Sequence, residues 1–308
     1  DKVSENYSHT TFESGYLLAD TPYPYIIEYY EDEGWGEVRL GLSLIKNGLL
    51  EDAVQKAKSA EVVVLCLGTY DYIEREGKDR ASLNLPENQI VLMKNIYEVN
   101  KNIVLVLING SSISLPWASE NIPSIIEAWY PGQSGGSAIA EVLFGYFNPG
   151  GKLPITFYKG INQLPPFDDY DIRKGRTYMY LEDEPLYPFG YGLSYTSFEV
   201  RNIYCKEKKL SKEDTIKVNF EIINNGDREG SEVVQLYVEN GGVKKLKDFK
   251  RIFLNVHEPL SSILKVPISE LKVWDEYTER YVIDSGTYTI NLGTNSQEFF
   301  FSETIEIK

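Results

Sequence analysis

The pattern of hydrophobic and polar positions changes twice along the chain, dividing it into three stretches. In residues 37–45, Val38, Leu40, Leu42 and Leu44 alternate with Arg39, Gly41 and Ser43. That period of two marks a half-buried strand. Residues 25–30 (YIIEYY) read as its neighbour across the acidic turn Glu31-Asp32-Glu33-Gly34. Two strands make a poor independent domain, so residues 1–45 read as the end of a β-domain whose beginning is missing. From residue 46 the pattern becomes an alternation of helix and continuous apolar run, three times over. Residues 50–60 predict a helix with Val54 and Ala57 on one face, ahead of the run 62–67 and Gly68. Pro86 opens a helix to about Asn100 whose expected buried stripe is Leu92, Met93, Ile96 and Val99, ahead of the run 103–108. The run 124–129 then leads to a helix over about 137–144, which buries Ile139, Val142 and Leu143 and stops at Gly145. Continuous β-branched runs predict strands covered on both faces, as in a parallel sheet, and the alternation predicts a three-layer α/β domain over 46–195.

The last part of that domain, residues 146–195, is rich in Pro, Gly and Tyr and reads as a strap lying across other surfaces. Residues 196–308 return to a period of two: Ile216, Val218, Phe220 and Ile222; Val234, Leu236 and Val238; Tyr288, Ile290 and Leu292. With the turn at Asn224-Asn225-Gly226-Asp227 and a second at Ser285-Gly286, about seven such segments fit an immunoglobulin-like sandwich. The fold class expected is therefore α/β plus all-β, with an N-terminal β remnant.

Composition narrows the function classes. Thirty-one Lys and Arg against 46 Asp and Glu give a net charge of −15, which argues against a nucleic acid or an anionic membrane as main partner. No stretch reaches the length of apolar residues that spans a bilayer. The two cysteines make no disulfide scaffold; Cys66, inside an apolar run, reads as a buried thiol. The two histidines, His9 and His257, are isolated, so a zinc site is not expected. No GxxxxGK[ST] is present and no GxGxxG follows a strand, so phosphate-loop and dinucleotide sites are unsupported. The residues imply no metal or organic cofactor.

Several segments together resemble the C-terminal half of glycoside hydrolase family 3, the β-glucosidases, β-xylosidases and their relatives. These are Glu74-Arg75-Glu76-Gly77-Lys78-Asp79-Arg80 before Leu85-Pro86, Pro131-Gly132-Gln133-Ser134-Gly135-Gly136, the run 148–154, Gly175-Arg176-Thr177-Tyr178 and the run 187–195. Residues 196–308 resemble that family's fibronectin-type-III-like domain through Asn225-Gly226-Asp227, the run 229–237 and Ser285-Gly286-Thr287-Tyr288. Residues 1–45 resemble the end of a PA14 module, which some members carry inserted in the α/β domain. The resemblance implies an exo-acting, retaining β-glycosidase acting on terminal β-linked glucosides or xylosides, with the xylosidase branch favoured. It also implies a partner: the family's (β/α)8 barrel, which carries the nucleophilic Asp, is absent here and is expected as another part of the same enzyme or as a separate chain. A glycoside or oligosaccharide would be the substrate. A homo-oligomer stays open, as does the compartment, with a secreted or periplasmic setting favoured over the cytoplasm.

A retaining glycosidase needs two carboxyl groups about 5–5.5 Å apart, one to attack the anomeric carbon and one to act first as acid, then as base. The segment 74–80 follows the first buried strand, at the sheet edge where α/β ligand sites form. The family's acid/base Glu lies in a Glu-Gly-x-Asp-Arg pattern, which maps onto Glu76. Glu74, two residues away, is the fallback, and a solvated charged loop with neither residue catalytic is the remaining alternative. Arg80 and Tyr72 are substrate-contact candidates, although an Arg–carboxylate fork that fixes the loop explains Arg80 as well. The rival chemistry is a serine esterase, since Gly132-Gln133-Ser134-Gly135-Gly136 fits the GxSxG elbow. Against Ser134 stands the need for a nearby His base. The other alternative class is a noncatalytic carbohydrate-binding or scaffold fragment.

Overall fold

The computed structural model describes residues 48–308; the two strands expected at 25–30 and 37–45 lie outside the described residues. The α/β part runs α1 Leu49–Ser59, β1 Val63–Gly68, α2 Glu87–Val99, β2 Ile103–Ile108, α3 Pro116–Asn121, β3 Ser124–Glu127 and α4 Gly135–Leu143. Each strand returns through a helix, so the strands pair in parallel in the order β1-β2-β3, with Leu65 beside Leu105 and Val106 beside Ile126. Leu65 and Leu67 of β1 pack with Ala57 of α1, Met93 and Ile96 of α2, and Ile103, Leu105 and Leu107 of β2. Among the described residues only β2, in the middle, is covered on both faces, with Leu105 and Val106 both fully buried.

Three expectations need correction. Cys66 is exposed, as is Val64: among the described residues β1 ends the sheet, and its Leu65–Leu67 face is the one that meets helices α1 and α2. An apolar run reports a strand, not how many of its faces are covered. Val99 is exposed on the last turn of α2, whose buried stripe is Met93 and Ile96. The third strand stops at Glu127, and Trp129 has a left-handed backbone (φ 54°) with its ring edge-on to Phe157.

Residues 146–195 hold only the 3-10 turn Ile161–Gln163 and the short helix α5 Thr177–Tyr180 as helical structure. The strap crosses from one half to the other. Tyr178 stacks on Phe189 (4.5 Å between centroids) and meets Tyr237 edge-on (5.9 Å), while its hydroxyl accepts the Leu246 N–H. Asn148 donates to Glu229 O and accepts from Ser194 Oγ and the Tyr195 N–H. Lys152 forms a nearly buried ion pair with Glu232 at 2.8 Å.

The sandwich comprises β4 Phe198–Cys205, β5 Lys209–Leu210, β6 Thr215–Asn224, β7 Gly230–Asn240, β8 Val243–Leu254, β9 Pro259–Pro267, β10 Val273–Asp275, β11 Arg280–Val282, β12 Gly286–Gly293 and β13 Phe299–Ile307. One sheet is ordered β4-β6-β9, the other β5-β13-β12-β7-β8, and β10-β11 form a hairpin. The alternating residues of β6, β7 and β12 interleave as its core. Seven strands have eight or more residues, matching the seven expected segments; β5, β10 and β11 are too short to show a period.

Candidate active site

The C-terminal ends of β1, β2 and β3 converge on one carboxylate. β1 ends at Gly68, where a Cβ would lie 1.8 Å from the Ile108 carbonyl oxygen, so only glycine lets β1 run this close to β2. The Gln89 side chain of α2 clamps that point, accepting from Gly68 N–H and donating to Gly68 O, both at 2.9 Å. The chain then makes one turn, with the Ile73 and Glu74 N–H groups on Tyr70 O, and enters a tight hairpin in which Arg75 pairs with Lys78. Gly77 takes the left-handed conformation the turn requires (φ 72°). Glu76 is therefore carried at the hairpin tip, exposed and without a hydrogen bond or ion pair to any described residue.

Glu74, two residues earlier, has the opposite surroundings. Its Oε1 accepts from Thr69 Oγ1 (2.5 Å), Gly110 N–H (2.8 Å) and Tyr130 OH (3.0 Å). Its Oε2 accepts from Ser111 Oγ (2.6 Å) and pairs with Arg80 Nε (3.0 Å). The side chain is 12% exposed. Burial alone would raise its pKa. The hydrogen bonds from Ser111, Thr69 and Gly110, with the charge of Arg80, outweigh burial and bring it down to about 2. Its donors thus favour the ionised form of Glu74 at neutral pH.

Arg80 turns its guanidinium into the same network, with Nη2 donating to Ser111 Oγ and Ser112 O at 2.8 Å each. Its Nη1 is buried and has no described partner. Tyr72 is exposed beside the hairpin, with Lys78 Nζ on its carbonyl and its ring edge-on to Tyr70. The structure thus brings Glu74 and Arg80 together and leaves Glu76 and Tyr72 on the outer side of the loop.

Three further groups at this sheet edge escaped the sequence reading: Tyr130, Asn109 and Glu127. Their signal was position alone, since each lies at or just beyond the end of an apolar run. Glu127 accepts from the Trp129 N–H (3.1 Å) and from Asn109 Nδ2 (3.3 Å). Burial pushes its pKa up to about 7, and the nearby charge of Glu74 adds to the rise. Asn109 is fully buried and its Oδ1 has no described partner.

Ser134 stands at the start of α4, where the elbow pattern placed it, but no histidine among the described residues is hydrogen-bonded to it. His257 is the one histidine among the described residues; it lies in the turn between β8 and β9, its backbone N–H on Asn224 O, and no hydrogen bond joins it to Ser134. Among the described residues no group of three or more His, Cys, Asp or Glu is placed to hold a metal ion. A cavity of about 580 Å³ between the sheet and the strap is lined by Ile125, Trp129, Val142, Phe157 and Tyr187 among others, and by no residue of the 69–80 loop.

Comparison with known proteins identifies the domains. Residues 2–195 match the model of the glycosyl hydrolase family 3 C-terminal domain, and residues 232–296 match a fibronectin type III-like domain. The chain is 37% identical over 278 residues to a xylan 1,4-beta-xylosidase of Xylanibacter ruminicola, covering 85% of this chain and 32% of that protein. It is 33% identical over 308 residues to thermostable beta-glucosidase B of Acetivibrio thermocellus, covering 92% and 41%. A crystal structure of a GH3 beta-glucosidase from Bifidobacterium adolescentis superposes with a TM-score of 0.77 at 31% identity, covering 87% of this chain and 42% of that one. The chain therefore spans only about a third to two fifths of the length of these relatives.

Proposed function

We propose, on the premise that this chain belongs to glycosyl hydrolase family 3 as its C-terminal portion, that it supplies the general acid/base of an exo-acting retaining β-glycosidase. Glu76 holds that role, in an active site completed by a (β/α)8 barrel portion of the same enzyme. The observation that carries the reading is the contrast between the two candidate carboxyl groups. Glu74 is buried and held by five donors, whereas Glu76 is exposed on a hairpin with its carboxyl engaged by no described residue. Of the two, only Glu76 stands where a second module can bring a sugar to it.

In the first step the Glu76 carboxyl gives its proton to the leaving glycosidic oxygen while a carboxylate of the barrel bonds to the anomeric carbon and the C–O bond breaks. In the second, the Glu76 carboxylate takes a proton from water as the water oxygen bonds to the anomeric carbon and the glycosyl ester is released. Terminal β-xylosides and β-glucosides are the substrate class, supported by a relative of each kind. The PA14-like reading of residues 1–45 is proposed on the same footing, supported by their acidic, tyrosine-rich alternation.

The test is kinetic. The chain alone is expected to hydrolyse no glycoside, and activity is expected on adding the barrel portion. In the assembled enzyme, Glu76→Gln should slow poor leaving groups roughly 10²–10⁴-fold, with azide restoring turnover of activated substrates. Turnover by the chain alone, or unchanged rates in the variant, would overturn the reading.

A further inference from the structure

An acid/base group must be held to within about 0.5 Å of its working position, yet Glu76 rides on a two-residue hairpin turn exposed on both sides. Something at the base of the hairpin has to fix it, and the Glu74 carboxylate is there. We propose that Glu74 is a positioning residue: it ties the base of the Glu76 hairpin to all three strand ends and serves the reaction only through Glu76. The proposal rests on the reading of Glu76 as the acid/base.

Three observations carry it. First, the donors to Glu74 come from every strand end of the sheet: Thr69 directly after β1, Gly110 and Ser111 two and three residues beyond β2, and Tyr130 beyond β3. Second, the far end of the hairpin is tied to the same place, since Arg80 holds Glu74 Oε2, Ser111 Oγ and Ser112 O together. Residues 75–79 are thus strung between two fixed points on one short stretch of backbone. Third, the site is shaped for this carboxylate. A Cβ on residue 110 would lie 3.3 Å from Glu74 Oε1 and 2.7 Å from Tyr130 Cε2, so glycine is what allows the Gly110 N–H to reach the anion. All five partners donate, and an ionised carboxylate is the one side-chain group of this size that only accepts.

That last point selects the variant. Glu74→Gln keeps the shape but turns an NH2 toward at least one donor, which breaks the hairpin's anchorage without adding bulk. The experiment is a double-mutant cycle in the enzyme assembled from this chain and its barrel portion, using a substrate with a poor leaving group. Glu74→Gln should lower kcat roughly 10–100-fold with KM nearly unchanged, and should change the rate less than about threefold when Glu76 is already Gln. Equal losses in the two backgrounds would show that Glu74 acts independently of Glu76 and would overturn the proposal, as would a wild-type kcat in the single variant. Glu76→Gln alone reports on the acid/base reading, so the two failures are separable. On the 308-residue chain itself, trypsin should cut after Arg75 and Lys78 at least tenfold faster in Glu74→Gln than in wild type, at a temperature where both stay folded. Unchanged cleavage overturns the anchorage. Should Glu74→Gln not fold, Ser111→Ala, which removes one donor to Glu74 and one acceptor of Arg80, gives the same readings on a smaller scale.

Discussion

Glu74 and Glu127 are carboxyl groups at one sheet edge whose pKa values are shifted in opposite directions, and the difference lies in their burial and their donors. Glu74 has four hydrogen-bond donors and a guanidinium; Glu127 has two longer hydrogen bonds, more burial and the Glu74 charge nearby. Their effects on stability therefore run in opposite directions with pH. Glu74 has a folded-state pKa of about 2, below its ordinary 4.5, so its contribution is complete above about pH 4.5 and is lost as pH falls toward 2. Glu127 has a folded-state pKa of about 7, so the folded state is favoured while it is protonated, and stability declines as pH rises from 4.5 through 7. Glu127→Gln should remove that decline, gaining on the order of 1–3 kcal/mol relative to wild type at pH 8 that is absent at pH 4.5. Urea unfolding midpoints at the two pH values check it; parallel midpoints for variant and wild type at both would count against a proton on Glu127.

At the level of elements, the two glycines at the sheet edge differ in what a methyl group would strike. At residue 68 it meets the Ile108 carbonyl, which is fixed in the sheet, whereas at residue 110 it meets the Tyr130 ring, which can rotate away. Gly68→Ala should therefore cost about 3 kcal/mol or more and Gly110→Ala about 1–3 kcal/mol, measured by chemical unfolding; a reversed order would refute this account. The existence and type of these elements were legible because apolar runs of six, Val63–Gly68 less its glycine plus Val62 and the whole of Ile103–Ile108, carry a strong local signal. The open face at Val64 and Cys66 was not legible, because a strand's apolar run does not say which side its neighbours occupy. Nor was the anchoring of Glu74. Its partners at 69, 80, 110, 111 and 130 have no common period and meet only when the parallel sheet aligns its strand ends. The Glu76 pattern could be read because its residues are contiguous.

At the scale of the whole molecule, the α/β part and the sandwich differ in how far each stands by its own core. The sandwich closes its two sheets over a large continuous core, from Ile216 of β6 to Ile307 of β13. The α/β sheet has three strands, and its edge strand β1 leaves Val64 and Cys66 uncovered among the described residues. Its packing against the strap therefore carries more weight, and Tyr178 is what ties that strap to the sandwich: it stacks on Phe189 of the strap, meets Tyr237 of the sandwich and accepts a backbone N–H from β8. Around it, Asn148, the Lys152–Glu232 pair and the Arg228 hydrogen bond to Gly145 O tie the same junction. Tyr178→Ala should cost about 3–5 kcal/mol as an aromatic-to-Ala change, and the loss should fall unevenly. Hydrogen exchange should accelerate in β2 while β6, deep in the sandwich core, keeps most of its protection. Equal acceleration in both strands would mean that the two halves unfold only together, and no acceleration in β2 would mean that the strap does not support the sheet that carries Glu76.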